Sequence, residues 1–228
     1  MYSICFTIAG VIFSILLFVL YNFKSNLKLL ENKIYYGIIV TTIIAGLIEI
    51  YSFILVRTSI FVNSVLFSLK SLFLCFLVWI YLFTIYTVIV TINLKNKDYS
   101  RYRLAIIIST IVFIIVSLTT MILPIDIIET DGLLLPTGVG VDIIYVLSLI
   151  LFIIMISVII SNRRNLKNKK YYPMYFLLVI LGIMIIVQKI FPSLLLINFS
   201  LSILIYIMYF TIENPDIKLI KDLSYTRR

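Results

Sequence analysis

Residues 141–160 read VDIIYVLSLILFIIMISVII, and residues 161–170 read SNRRNLKNKK. Twenty residues of α-helix rise about 30 Å, the thickness of a bilayer hydrocarbon core. The run carries one charge, Asp142, at its outermost turn. Arg163, Arg164, Lys167, Lys169 and Lys170 then crowd onto the other end. Apolar length followed by clustered cations marks a membrane span that exits toward the cytoplasm. The rest of the chain is read outward from this segment.

Composition agrees with that reading. Of 228 residues, 63% are apolar and 13% charged, with a mean hydropathy of +1.19. A soluble domain is roughly half apolar and a quarter charged. A net charge of +9 raises nucleic acid as a partner. In a membrane chain, however, lysine and arginine first serve topology, so no nucleic-acid partner is expected. Cys5 and Cys75 lie in apolar surroundings and read as packing residues without a redox role. Histidine is absent, which removes histidine metal ligands, general bases and phosphoacceptors together.

Six further apolar runs join the first. Spans are expected at 4–21, 34–56, 65–90, 104–123, 141–160, 171–188 and 194–212. The first has no basic residue ahead of it and no small-residue cleavage signature behind it, as suits an anchor. Alternate links hold Lys24, Lys28 and Lys33; then Lys95, Lys97, Arg101 and Arg103; then the cluster from Arg163 to Lys170; then Lys218, Lys221, Arg227 and Arg228. Arg57, Lys70 and Lys189 are what remains for the other side. The positive-inside rule therefore places the N-terminus outside and the C-terminus in the cytoplasm. The fold class expected is an all-α polytopic membrane protein of seven helices, 1–212, followed by a cytoplasmic juxtamembrane helix, 213–228. No self-similar halves or paired glycine- and proline-broken spans of the transporter kind are evident.

Few polar residues stand inside the spans. Glu49 lies about 22 Å up its helix from Ile34. A carboxylate at that depth must face the bundle, be protonated or find a partner. Lys70, on the next span down, lies near the outer boundary and can snorkel; a Glu49–Lys70 pair across the hairpin is geometrically plausible. Two readings stand side by side: a ligand or proton site open to the outside, or a polar contact that fixes helix packing. Asp142, Gln188 and Lys189 read as interfacial residues within reach of water, Asp142 also being a sensing candidate, and Trp79 as packing. The outer link 124–140, PIDIIETDGLLLPTGVG, contains turn-forming residues suited to a short hairpin or lid.

The chain closes with 206–228, YIMYFTIENPDIKLIKDLSYTRR. Glu213 marks the interface, Asn214 suits a helix N-cap, Pro215 the first helical position, and Asp216 the positive end of the helix dipole. Ile217, Ile220 and Leu223 recur at helical spacing. The segment reads as a signalling helix, the start of a dimeric coiled coil, or as a basic tail resting on anionic lipid. No phosphate loop, nucleophile elbow, metal cluster or cofactor motif occurs in the sequence, so no catalytic residue is assigned.

The run IMYFTIENPDIKLIKDL resembles the junction between membrane and kinase parts in bacterial sensor histidine kinases with a seven-span N-terminal region. Residues 168–216, NKKYYPMYFLLVILGIMIIVQKIFPSLLLINFSLSILIYIMYFTIENPD, are similar over the last two spans, including the FPSLLL turn. DGLLLPTGVGVDIIYVLS, 131–148, resembles the family's outer loop more loosely. The resemblance implies the input part of a two-component system in the plasma (cytoplasmic) membrane, working as a homodimer. Its output would be a kinase core or other cytoplasmic protein, in cis or in trans, with the chain either a fragment of a kinase or a shortened paralogue. The phosphoacceptor histidine and ATP-binding domain of that family are not in these residues. The competing expectation is a small transporter or channel that works through Glu49 and Lys70. A lipid-modifying enzyme is a weaker third, lacking histidine and a cytoplasmic acidic cluster.

Overall fold

The computed structural model describes residues 2–24, 30–58, 62–93, 99–130, 133–161, 179–180, 183, 187 and 197–210. Within them the chain forms helices α1 (Tyr2–Lys24), α2 (Leu30–Thr58), α3 (Val62–Asn93), α4 (Tyr99–Ile122), α5 (Val139–Ser161) and α6 (Ile197–Met208). Two strands, β1 (Asp126–Thr130) and β2 (Leu133–Thr137), lie between α4 and α5. Helices α1 to α5 are each long and apolar enough to cross a bilayer. They cover the first five spans read from the sequence, α4 ending at Ile122, one residue short of the fourth. The protein is thus a predominantly α-helical polytopic membrane protein with a small β-hairpin. Most of the expected sixth span falls outside the described residues, and the expected seventh contributes the twelve residues of α6.

The chain divides into two compact units. One comprises Met1–Ile43 with Leu166–Arg228, the other Ile44–Asn165; α2 runs through the boundary between them.

In the second unit α3 is central, with α4 and α5 packed on it and against each other. Half of its apolar stretch is buried, and Leu77, Trp79, Phe83, Tyr86 and Ile89 make up much of its core face. Trp79 stacks on Phe83 at 5.3 Å, the packing role expected of it. The Tyr81 ring lies flat on Phe113, 4.0 Å away and within 4° of parallel. Its hydroxyl reaches Ser109 and Thr110 of α4 at 3.2 and 2.9 Å. Thr84, Thr87 and Thr91 of α3 donate to carbonyls of their own helix, four residues back. Hydroxyls satisfied in this way add no unpaired group to the hydrocarbon zone.

The outer faces of α4 and α5 are apolar. Ile108, Ile111, Ile115 and Leu118 of α4, and Val146, Leu149 and Ile153 of α5, are all exposed. So continuous an apolar surface is a liability in water; in a bilayer it is the face that meets acyl chains.

The link 124–140 forms the hairpin that its sequence suggests. Strands β1 and β2 pair antiparallel from Asp126↔Thr137 to Thr130↔Leu133, which leaves Asp131 and Gly132 as the two intervening residues. Asp-Gly is a favoured pair for a two-residue connection. Two glycines then seat the hairpin on α5. Gly138 takes φ +104°, a conformation that L side chains rarely adopt. Gly140 donates its N–H to the Pro124 carbonyl at 3.2 Å, and a Cβ there would stand 2.9 Å from that oxygen.

In the first unit α6 packs along α1, with Phe6 against Phe199 and Phe13 against Tyr206. The contact between these two helices is polar at its centre.

Candidate functional site

Small residues let α1 and α6 approach closely. Gly10 and Ser14 are four apart on α1, as Asn198 and Ser202 are on α6, so each pair shares one face. A Cβ on Gly10 would lie 3.0 Å from the Phe199 Cα and 3.2 Å from its nitrogen. Backbone therefore meets backbone, the arrangement that small residues at four-residue spacing make possible in membranes.

Into this approach points the Ser202 hydroxyl. Its Oγ lies 2.8 Å from the Asn198 carbonyl of its own helix, 2.9 Å from the Gly10 carbonyl of α1, and 2.9 Å from the Ser14 Oγ. A hydroxyl has one proton and two lone pairs. Ser202 can thus donate to one carbonyl at a time, while Ser14 is placed to donate to Ser202. Ser14 and Ser202 are both buried. Hydrogen bonds between membrane helices contribute roughly 0.6 kcal/mol on average and up to about 2; here several converge on one atom.

Farther along α6, tyrosines take over. The Tyr35 hydroxyl of α2 donates to the Ile205 carbonyl at 2.5 Å, and the Tyr21 hydroxyl of α1 donates to the Asn32 carbonyl at 3.1 Å. The Tyr21 ring stands edge-on to Tyr35 at 5.1 Å and to Tyr209 at 6.3 Å. All three rings are buried. At Tyr209 and Phe210 the helix widens into a π-type turn. Glu213, Asn214, Pro215 and Asp216, the junction read from the sequence, lie outside the described residues.

The polar residues singled out in the sequence belong to the second unit. Glu49 is buried on α2, at 6% exposure. Lys70 of α3 donates its Nζ proton to the Met121 carbonyl at 3.0 Å. A helix's last carbonyls lack intrahelical donors and carry its negative dipole end, so this cation closes α4. The sequence suggested Glu49 as its partner; the hydrogen bond runs to the helix end. Asp142 is exposed in the first turn of α5, where the positive end of the dipole favours a carboxylate. Its N–H donates to the Gly138 carbonyl. Lys70 through Met121, and Asp142 through Gly138, both lie at the hairpin end of this unit.

The seam on α6 escaped the sequence reading, although its signal was present in the spacing of Gly10 with Ser14 and of Asn198 with Ser202. Among the described residues no group of three or more histidine, cysteine, aspartate or glutamate side chains could hold a metal ion. Comparison with protein-family models, with curated proteins and with solved structures found no match for this chain.

Proposed function

We propose that the protein is a seven-span sensor module, N-terminus outside and C-terminus cytoplasmic, that couples an external or intramembrane stimulus to the segment after α6. It resembles the input part of a two-component sensor kinase and acts as a homodimer in the cytoplasmic membrane, with a kinase core or other output protein in cis or trans. The observation that carries this reading is the polar anchoring of α6. The helix that leads toward Asn214 and Pro215 is held to α1 through Ser202 and to α2 through Tyr35. A displacement of either helix therefore reaches α6 directly. A shift or rotation of α6 would then pass through the capped junction into residues 217–223 of a dimer. Glu49, Lys70 and Asp142 are the sensing candidates.

Joining residues 1–216 to the dimerisation helix and ATP-binding core of a sensor kinase tests the proposal. With the joint set in each helical phase, Glu49→Gln is expected to change autophosphorylation several-fold at unchanged membrane abundance. Equal autophosphorylation in every phase would contradict it.

The burial of Glu49 favours a second reading, a small transporter or channel that uses Glu49 with Lys70. Solute or ion flux in proteoliposomes, abolished by Glu49→Gln, would establish that alternative.

A further inference from the structure

The hairpin between α4 and α5 is a sheet of two strands, so among the described residues each strand has one edge with no strand beside it. The pair that flanks a two-residue connection exchanges both of its hydrogen bonds, and bonded pairs alternate with unbonded ones from there. Thr130↔Leu133, Ile128↔Leu135 and Asp126↔Thr137 are therefore the bonded pairs. The backbone groups of the residues between them point away from the hairpin. On β1 these are the N–H and C=O groups of Ile127 and Glu129; on β2 they belong to Leu134 and Pro136.

The two edges are not equivalent. Proline has no N–H, so Pro136 removes one of the two outward donors of β2. β2 also packs against α5. β1 keeps both donors, and among the described residues no backbone group bonds to them. An edge with regularly spaced donors and acceptors is a template for one more extended strand.

Charge decides which kind of strand. The hairpin carries Asp126, Glu129 and Asp131, and no lysine or arginine occurs between Arg103 and Arg163. Two copies of β1 side by side would gather like charges on one small sheet, which opposes their pairing, whereas a strand bearing lysine or arginine meets the opposite sign. The base of the hairpin is tied down as well, since Gly140 at the start of α5 donates to the Pro124 carbonyl just after α4. A strand added to β1 thus bears on the common end of both helices.

We propose that the open edge of β1 binds an extended cationic peptide by strand addition. Ile127 and Glu129 supply the backbone hydrogen bonds, and Asp126 and Glu129 the charge. This names the class of external stimulus, and it rests on the sensor reading and topology proposed above.

The probe is an eight-residue peptide of alternating lysine and valine, fluorescently labelled and titrated against the full chain in nanodiscs of zwitterionic lipid. Saturable binding is expected, read as anisotropy. The same peptide N-methylated at every residue keeps its charge but cannot donate to a strand, and it is expected not to bind. Ile127→Pro deletes one outward donor of β1 and spares the bonded pairs, as Pro136 does directly across from it. It is expected to weaken binding about tenfold, the worth of one hydrogen bond. Leu134→Pro makes the same change on the other edge and is expected to bind as the parent does. Absence of saturable binding overturns the proposal, as does equal binding of the N-methylated peptide, or equal affinity in Ile127→Pro and the parent. Equal loss in both proline variants overturns it too. A parent that binds no peptide but falls from dimer to monomer on Ile127→Pro assigns the edge to a second copy instead. The N-methylated peptide needs no variant, and it decides alone if Ile127→Pro does not assemble. Peptide binding to a kinase fusion whose output stays constant would leave the edge site standing and remove the sensor reading; a fusion that signals without binding the peptide would remove the edge site alone.

Discussion

Ser202 has one proton and two carbonyls within 2.9 Å, one on its own helix and one on α1. A hydrogen bond that can be given to either neighbour at similar distance lets two helices adjust without exposing a polar atom to lipid, where no water can replace a lost partner. Gly10 makes this possible, since any larger residue separates the backbones. Gly10→Ala places its methyl 3.0 Å from the Phe199 Cα, against backbone that cannot rotate aside. It is expected to destabilise the α1–α6 pair by about 1–3 kcal/mol. Thermal unfolding in detergent, followed by tryptophan-independent circular dichroism, should show the lowered midpoint; an unchanged midpoint would mean that the close approach contributes little. Charged residues act at the same scale in other ways. Lys70 closes a helix end and Asp142 opens one, roles that follow from the dipole and require no ligand. The sensing roles proposed for them are therefore read from changes in output, not from folding.

At the scale of elements, the hairpin shows how much local sequence can specify. Two short strands, an Asp-Gly pair between them and glycines at 138 and 140 set its base on α5. Gly138→Ala forces a side chain into φ +104° beside the Asp126 carboxylate, 3.2 Å from the added methyl. The expected cost is about 1–2 kcal/mol, seen as faster backbone amide exchange in the hairpin with helical content unchanged. Protection equal to that of the parent would show that the glycine is not required there. Helices α1 to α5 were legible because a bilayer demands some twenty apolar residues per crossing, and length is easily read. The seam and the tyrosine contacts on α6 were not. Ser14, Ser202, Tyr21 and Tyr35 sit in apolar runs where any hydroxyl reads as tolerated, and spacing shows a shared face without showing its neighbour. Glu49 and Lys70 drew notice because charge in a membrane is rare. Rarity does not reveal that Lys70 turns to a carbonyl fifty-one residues away.

At the scale of the whole molecule, the two helical units are built differently. One is built on α3, with aromatic stacking, hydroxyls satisfied within or between neighbouring helices, and apolar outer faces. The other holds α6 by hydrogen bonds to both α1 and α2 and leads to the ENPD junction. In the sensor role proposed above, α6 is the helix whose position is set by a few replaceable bonds. The proposed sensor role requires residues 217–223 to form a helix paired with a second copy, its phase dependent on the membrane part. Single cysteines placed at each position from 217 to 223, in a background with Cys5 and Cys75 replaced by serine, are oxidised in native membranes. Dimer crosslinks are expected to be strongest at 217, 220 and 223, with a pattern that shifts along the helix when Glu49→Gln or Tyr35→Phe is added. The absence of a crosslinked dimer at every position, in the parent and in both variants, would contradict it.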